Sequence, residues 1–433
     1  MRIFIYKCIY VFFLLVPFFG SLQLAIGENK KTNILFILAD DVGYEGLTCY
    51  GGESYPTPQL DGLAKSGIQA MHCYSMPVCH PTRMALLTGC YPKNIGSPRW
   101  GSFPKNLEKK TIASVLKEAG YTTAVAGKWQ LALLKDDPKQ PFRLGFDDFC
   151  VFGWHEGPRY HDPMIYENGS VKTGTKGKFG PDLYREFLEA HMLKAQKKNQ
   201  PFFSFYSMAL CHDVTDDLKK PVPVSPSGKY LDYREMIVEM DRQTGLLIDF
   251  LKKNGLRENT LLVFVTDNGT PSRFIAYPDG NKLIKEPIFS NLNGQRIQGG
   301  KGKLDDTGTR VPLIINWPSV IEKGRKTDDL IDMSDFFATF IEVAGLNQNQ
   351  NIDGVSFLPM IKGEKSPRSW AYSESKQKWW VRNKAYKLYN NGNFVEVSST
   401  DPGKETSLNR PLTNLQEKAF KLLGQARPHR SNP

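Results

Sequence analysis

The sequence CHPTRMALLTG, residues 79–89, predicts a helix with a cysteine at its start. Pro81 favours the first turn of a helix, where its missing N–H costs little. The unpaired N–H groups and the dipole of a helix N-terminus favour an anion. Arg83 follows Cys79 by about one helical turn and can reach the same side. A cysteine, a helix N-terminus and a guanidinium therefore meet at one point, which suits a phosphate or sulfate ester.

Two apolar runs end in pairs of oxygen-bearing side chains. Residues 33–39 lead into Asp40 and Asp41, and residues 261–266 lead into Asp267 and Asn268. Continuous apolar runs are typical of buried parallel strands, and ligands bind at the C-terminal edge of such sheets. Either pair alone could be a helix cap or a solvated loop. Together the four oxygen donors predict a hard-cation site, for Ca²⁺ or Mg²⁺ rather than zinc.

The alternation of apolar strands with amphipathic helices predicts an α/β fold with a mixed, mostly parallel sheet sandwiched by helices. After Gly354 the pattern changes to short strands with tight turns and a closing helix. This pattern predicts a small C-terminal α+β subdomain of antiparallel strands packed on a helix. We therefore expect a catalytic domain at 28–350 and a C-terminal subdomain at 351–433. Residues 135–180, rich in Pro, Gly and aromatic residues, are interpreted as a long loop over the ligand edge.

The N-terminus has the pattern of a secretory signal peptide. Arg2 and Lys7 precede or flank a short apolar core, and small residues follow at 25–27. The apolar core is too short to be the better candidate for a membrane anchor. We predict a secreted or periplasmic protein, lysosomal or secretory in a eukaryote, with residues 1–27 removed and no stable membrane span. Removal takes the formal charge from +11 to 11 − 2 = +9.

The basic balance and the cysteine spacing restrict the possible partners. The basic residues are scattered and form no nucleic-acid motif, so we predict a polyanionic or sulfated partner and no nucleic acid. Six cysteines remain after Cys8 is removed, and no CxxC occurs among them. This spacing fits neither a zinc site nor a dense disulfide framework. One or two bridges are possible, and at least one free thiol is expected if Cys79 is functional.

Motifs spread over residues 32–409 resemble the type I sulfatases of the alkaline phosphatase superfamily. The resemblance rests on ILADDVG at 37–43, CHPTRMALLTG at 79–89, AGKW at 126–129, TDNG at 266–269, GKG at 300–302, TRVP at 309–312, DGVS at 353–356 and DPGKET at 401–406. It implies an alkaline-phosphatase-like fold. It also implies that a formylglycine-generating maturation enzyme converts Cys79 to Cα-formylglycine. The hydrated aldehyde of that residue would attack sulfur and later expel sulfate by collapse of the hemiacetal.

The resemblance also implies roles for particular residues. It implies that Asp40, Asp41, Asp267 and Asn268, with the side chain at position 79, hold Ca²⁺. It implies that Lys128 and Lys301 bind the sulfate and that Arg83 steadies the formylglycine and the metal-site carboxylates. His212 would lie near the leaving oxygen and could donate its proton.

Gln130 departs from the family pattern. Many relatives have histidine two residues after the lysine, and glutamine can hydrogen-bond a hydroxyl group without accepting its proton. We expect Gln130 to bind the substrate or the formylglycine hydroxyl, with His155 and His161 as candidate substitutes for the missing base. His80 replaces the small residue that is common after the cysteine.

The sequence predicts a sulfuric ester hydrolase that cleaves sulfate monoesters, on a sulfated carbohydrate in preference to a sulfated small molecule. One alternative is a formylglycine-dependent phosphodiesterase or phosphonate ester hydrolase. A second alternative, motivated by Gln130, is an inactive sulfatase-like protein that binds sulfated glycans.

Overall fold

The computed structural model describes residues 30–153, 156–213, 232–279, 282–347 and 351–429. The predicted signal peptide lies outside these residues. Thr32–Pro433 forms one compact unit. The described residues contain no helix with both the length and the apolar character that a bilayer span needs. The α-helices are α1 Pro58–Ser66, α2 Cys79–Thr88, α3 Ile112–Glu118, α4 Gln140–Arg143, α5 Gly180–Lys197, α6 Tyr233–Lys253, α7 Asp306–Thr309, α8 Asp335–Val343, α9 Leu358–Ile361 and α10 Asn414–Gln425.

The main sheet has ten strands in the order β14-β2-β13-β8-β1-β7-β3-β4-β5-β6. Its five central strands, from β8 to β4, are parallel, and β13 runs antiparallel to both of its neighbours. The strands are β1 Asn33–Ala39, β2 Ile68–Tyr74, β3 Thr122–Lys128, β4 Asp148–Phe152, β5 Tyr166–Glu167, β6 Ser170–Val171, β7 Phe202–Ser207, β8 Thr260–Thr266, β13 Arg310–Asn316 and β14 Arg325–Asp332.

Apolar cores cover both faces of this sheet. Along β1, Ile34, Phe36 and Leu38 face one core, and the intervening residues face the other. The first core contains side chains of α2, α3 and α8, and the second contains side chains of α1, α5 and α6. A strand with helices on both faces must be apolar on both, and every residue of β1 is buried. The predicted α/β class, with a mostly parallel sheet between helices, is confirmed.

The C-terminal region forms an antiparallel sheet of five strands in sequential order. Phe420 of α10 packs edge-on against Phe394 of this sheet, with ring centroids 5.3 Å apart. The antiparallel strands and the closing helix therefore agree with the prediction. The strands are β15 Ala371–Ser375, β16 Lys378–Arg382, β17 Tyr386–Tyr389, β18 Phe394–Val397 and β19 Glu405–Ser407.

Two parts of the chain differ from the sequence prediction. The segment 135–180 is not a continuous loop, because it contains α4 and β4–β6, and β4 pairs parallel with β3. Two further hairpins follow β8: β9 Arg273–Asp279 with β10 Lys282–Pro287, and β11 Phe289–Leu292 with β12 Gln295–Gln298.

All six cysteines from Cys49 to Cys211 are free thiols, so no bridge forms among them.

Candidate active site

Polar side chains from several strand ends converge at one edge of the main sheet. Asp40 and Asp267 directly follow the neighbouring parallel strands β1 and β8, and Lys128 ends β3. Cys79 begins α2, after the loop that follows β2. The ligand atoms of Asp40, Cys79 and Asp267 all lie within 4.8 Å of one another. The three residues are buried, so the group is shielded from bulk water.

Asp41 and Asn268 complete the set of oxygen donors. The Asn268 amide donates to Asp41 Oδ1 over 2.8 Å, and the Asp41 N–H donates to Asp267 Oδ1 over 3.2 Å. Asp41 has φ of 62°, in the left-handed region that aspartate enters more readily than most residues. The Tyr233 hydroxyl donates to the carbonyl of Asp41 and supports this conformation. The five predicted metal ligands are therefore brought together.

The donor set fits a divalent cation. Asp40 Oδ1 and Asn268 Oδ1 are buried and have no hydrogen-bond partner among the described residues. Burial and the neighbouring Asp267 raise the pKa of Asp40 above its usual value. Orphaned buried oxygens and a carboxylate that resists ionisation are costly, and a cation with oxygen ligands would relieve both. Ca²⁺ and Mg²⁺ have that preference.

Three cations surround these carboxylates. Arg83 Nη2 lies 2.9 Å from Asp267 Oδ2, and Lys128 forms an ion pair with Asp40. Lys301 Nζ lies 2.6 Å from Asp41 Oδ1. Burial alone would lower the pKa of Lys301, but Asp41, Cys79 and Asp40 together outweigh burial and raise that pKa. Three formal positive and three formal negative charges balance, so a bound divalent cation would leave the site positive and able to bind an anion.

His212 lies beside Asp41, in the turn after β7. Its Nε2 is 3.8 Å from Asp41 Oδ2, and its Nδ1 is 2.5 Å from the carbonyl oxygen of Asp213. Burial lowers the pKa of His212 well below its usual value, and Lys301 and Lys128 lower it further. The structure therefore brings His212 together with the predicted cations and metal ligands.

The remaining predicted residues have different outcomes. Gln130 follows β3 and is buried, and its Oε1 has no hydrogen-bond partner in the described structure. His161 packs against Phe179, with ring centroids 5.3 Å apart, and no described contact joins it to Cys79. His155 lies outside the described residues. His80 is turned to Ser102, whose carbonyl is 3.0 Å from its Nε2, and burial lowers its pKa to about 4.

Sequence reasoning missed several residues at this edge. The Arg83 guanidinium donates a hydrogen bond to the Ser207 hydroxyl, which in turn donates to the carbonyl of Lys128. Ser207 ends an apolar strand. The same position after an apolar run predicted that Asp40 lies at the sheet edge, so Ser207 could have been predicted in the same way. Tyr233 and Lys285 carried no such signal, because each belongs to an element whose position depends on tertiary packing.

These features define a class of protein: an α/β enzyme whose buried, cation-lined site suits an anionic ester. The family model described as Sulfatase matches residues 32–346, and the model described as N-sulphoglucosamine sulphohydrolase, C-terminal, matches residues 301–397. The chain belongs to the sulfatase family of the alkaline phosphatase superfamily and is a sulfatase by class.

Individual relatives agree with this assignment. The chain is 30% identical over 385 residues to N-acetylgalactosamine-6-sulfatase of Rattus norvegicus, covering 81% of this chain and 70% of the relative. It is 28% identical over 425 residues to arylsulfatase A of Homo sapiens, covering 89% and 80%. Among solved structures, Ps i-CgsB in complex with k-i-k-neocarrahexaose has the same fold, with a TM-score of 0.73, 24% identity and coverage of 91% and 92%.

Proposed function

We propose that this sulfatase hydrolyses sulfate monoesters of a carbohydrate, with a formylglycine made from Cys79 and a bound Ca²⁺. The observation that carries the proposal is the buried convergence of Asp40, Cys79 and Asp267, with ligand atoms within 4.8 Å. Asp40, Asp41, Asp267, Asn268 and the side chain at position 79 would hold the ion. When bound, Ca²⁺ supplies positive charge that polarises the sulfate oxygens. The formylglycine supplies a hydroxyl nucleophile that thiol chemistry does not offer.

The cations of the site would bind the sulfate and stabilise its developing charge. Arg83 is fixed by Asp267 and Ser207, so it would hold the metal-site carboxylates and the residue at position 79 in register. The Lys301 side chain is 22% exposed and is paired with Asp41. Lys128 is fully buried and is paired with Asp40. Preorganised cations of this kind act most strongly where water is excluded.

His212 and Gln130 would handle the hydroxyl groups. His212 would act as the imidazolium, a form that the Asp41 carboxylate 3.8 Å from Nε2 favours. Its Nε2 would give a proton to the leaving alkoxide oxygen as the S–O bond breaks, and the ring would return to the neutral form with the proton on Nδ1. The unpartnered Oε1 of Gln130 would accept a hydrogen bond from a hydroxyl on the residue at position 79. Glutamine cannot take up the proton itself, so a group other than Gln130 must act as the base of the release step.

Three observations favour a carbohydrate substrate. The relative at 30% identity is named as an N-acetylgalactosamine-6-sulfatase. The chain without residues 1–27 has a formal charge of 11 − 2 = +9, which suits a polyanionic ligand. The N-terminal pattern favours secretion or export to a periplasm. An exported enzyme can meet sulfated polymers, which are found outside the cell. The proposal therefore includes a maturation enzyme met during export.

The test is sulfate release from a panel of sulfated monosaccharides, 4-nitrocatechol sulfate and nitrophenyl phosphate diesters. We expect a sugar sulfate to have the highest kcat/KM. Faster cleavage of the phosphate diesters would support the phosphodiesterase alternative instead. Turnover confined to the aryl sulfate would remove the carbohydrate assignment.

A second measurement tests the nucleophile. Conversion of Cys79 to formylglycine lowers the mass of its tryptic peptide by roughly 18 Da. We expect that shift in protein made by a maturation-competent host, and the peptide of Cys49 is the internal control. An unmodified Cys79 thiol with no sulfate release would favour the binding-protein alternative.

A further inference from the structure

The turn that carries His212 is tied down at both ends. The N–H of Cys211 donates to the carbonyl of Asp40 over 2.7 Å, which fixes the turn to the metal-ligand loop. The Tyr160 hydroxyl is within 2.8 Å of the carbonyl of Ala209 and within 2.7 Å of that of His212. Backbone position alone, however, leaves the imidazole free to rotate about its side-chain bonds.

The ring orientation is set by Asp213. A carbonyl oxygen only accepts hydrogen bonds, so Nδ1 of His212 must carry the proton in its 2.5 Å contact with the Asp213 carbonyl. The carboxylate of the same residue also lies close, with Oδ1 3.6 Å from Nδ1. Both acceptors of Asp213 therefore attract the Nδ1–H edge of the ring. Nε2 is left facing Asp41 Oδ2 at 3.8 Å, on the side of the proposed sulfate pocket.

Asp213 is in turn held by the β9–β10 hairpin. Lys285 Nζ lies 2.9 Å from Asp213 Oδ2, and the Asp213 side chain is 10% exposed. The guanidinium of Arg273, at the start of β9, donates to the carbonyl of Lys285 over 2.6 Å and braces the base of the hairpin. The Lys285 side chain is 37% exposed, so the pair is partly screened by solvent, but the Asp213 carboxylate is mostly buried and is restrained more than in a fully exposed pair. Among the described side chains of the hairpin, Lys285 contacts Asp213, and Phe274 packs against Tyr233 with ring centroids 5.7 Å apart.

We infer that Asp213 and Lys285 are positioning residues, which direct Nε2 of His212 at the leaving oxygen and hold the β9–β10 hairpin along the leaving-group side. The inference rests on the proposed function, because it takes His212 as the proton donor. It adds the pair of residues that orients the proton donor.

Substrates with different leaving groups distinguish a role in orienting His212 from a general role in holding the site together. A sugar alkoxide is a strong base and needs a proton as the S–O bond breaks, whereas a nitrocatecholate leaves without one. Loss of aim should therefore lower kcat on the sugar sulfate and spare the aryl sulfate. A general loss of site structure would lower both.

The experiment compares Lys285→Met, Lys285→Arg and His212→Asn with the full-length wild-type enzyme. The substrates are 4-nitrocatechol sulfate and the best sugar sulfate of the panel. We expect Lys285→Met to lower kcat on the sugar sulfate by about 10-fold or more and on the aryl sulfate by less than about 3-fold. His212→Asn should show the same selectivity with a larger loss, and Lys285→Arg should restore most of the activity.

Glu286→Gln is the matched control, because this exposed neighbour on the hairpin has no ion pair among the described contacts. It should leave both activities unchanged. Equal losses on the two substrates in Lys285→Met, no loss, or the same selectivity in Glu286→Gln would overturn the inference.

A readout independent of turnover separates this inference from the proposed function. Long-range ¹H–¹⁵N NMR on histidine-labelled protein reports which ring nitrogen carries the proton. We expect His212 to hold the Nδ1–H tautomer in the wild type and a mixture in Lys285→Met. If the wild type cleaves neither sulfate, the proposed function fails while this result still decides the positioning. An Nε2–H tautomer in the wild type would overturn it.

Discussion

Lys301 Nζ lies 2.6 Å from Asp41 Oδ1, although 260 positions separate the two residues. The contact joins the glycine-rich loop before α7 to the carboxylate that follows β1. The N–H of Lys301 also donates to the carbonyl of Thr270 over 2.9 Å, which fixes the loop to the segment after Asn268. The ammonium group is thus held at the metal-ligand loop, and the Lys301 side chain as a whole is 22% exposed.

This arrangement predicts that Lys301→Met will lower kcat/KM for sulfate hydrolysis by about 100-fold or more, because preorganised charges in a water-poor site carry much of the catalysis. Steady-state kinetics on the preferred sulfate ester measures the loss. Lys303→Met changes an exposed lysine two positions away and should stay within about 2-fold of the wild type. Equal effects of the two substitutions would contradict a specific role for Lys301.

Much of this site could be predicted from the sequence, because local pattern determines it. The apolar runs of β1 and β8 are buried on both faces, and the polar residue that ends each strand must therefore lie at the sheet edge. The helix at Cys79 follows from Pro81 in its first turn. Asp40, Cys79 and Asp267 belong to three separate local patterns that share one edge.

Other features could not be predicted, for physical reasons. β4 has only five residues and lies in a segment rich in proline and glycine. That composition indicates a loop and hides the short apolar strand. β14 carries charged residues on its exposed half and is fully buried only at Leu330–Asp332. The Lys285–Asp213 pair depends on where a hairpin folds back, which no local pattern encodes. Tertiary packing decides these cases.

The buried carboxylates predict that Ca²⁺ will stabilise the folded protein. A ligand at 100 times its Kd that binds only the native state adds about 2.7 kcal/mol to the free energy of unfolding. We expect Ca²⁺ added after chelation to raise the thermal unfolding midpoint of the wild type and to leave that of Asp267→Asn unchanged. Differential scanning calorimetry measures both shifts.

Asp249→Asn is the control for that experiment, because Asp249 is an exposed carboxylate of α6 with a side chain 72% exposed. It should keep the full Ca²⁺ response. If neither Ca²⁺ nor Mg²⁺ changes the thermal unfolding midpoint of the wild type, the assignment of a hard-cation site is contradicted.

His191 predicts a loss of stability in acid. It is buried between α5 and the sheet, bonded to Thr122 and Ser204, and burial lowers its pKa to about 4. The unfolded state binds a proton below about 6.5 and the folded state only near 4, so the stability present above pH 6.5 falls as the pH drops between these values. At pH 4.5 we expect a loss of about 2–3 kcal/mol.

The measurement is the free energy of unfolding in urea at pH 7.5 and pH 4.5, for the wild type and His191→Gln. The drop on acidification should be smaller in His191→Gln by about 2–3 kcal/mol, since the substituted side chain does not titrate. An identical drop in both proteins would show that His191 is protonated in the native state. Burial also lowers the pKa of His72, to about 3. His72 would lower the stability in acid equally in both proteins, so it does not affect the difference between them.

A buried ion cluster between the end of β14 and the start of α8 predicts a strong effect on stability. Arg368 Nη1 lies 3.0 Å from Asp332 Oδ2, its Nη2 is paired with Asp335, and the three side chains are at most 3% exposed. Arg368→Met removes the cation and leaves two buried carboxylates, so we expect a loss of about 3–5 kcal/mol. Arg410→Met, at an exposed arginine, should cost less than about 1 kcal/mol.

The pH dependence distinguishes this cause from simple loss of packing. Burial raises the pKa of Asp335 and Arg368 opposes that rise, so Arg368→Met should raise the pKa further. A carboxyl group whose folded pKa exceeds its unfolded value binds more protons when folded, so stability falls as the pH rises. The deficit of Arg368→Met should therefore grow between pH 6 and pH 8 in urea unfolding. A deficit independent of pH would assign the loss to the missing side-chain contacts instead of the uncompensated charge.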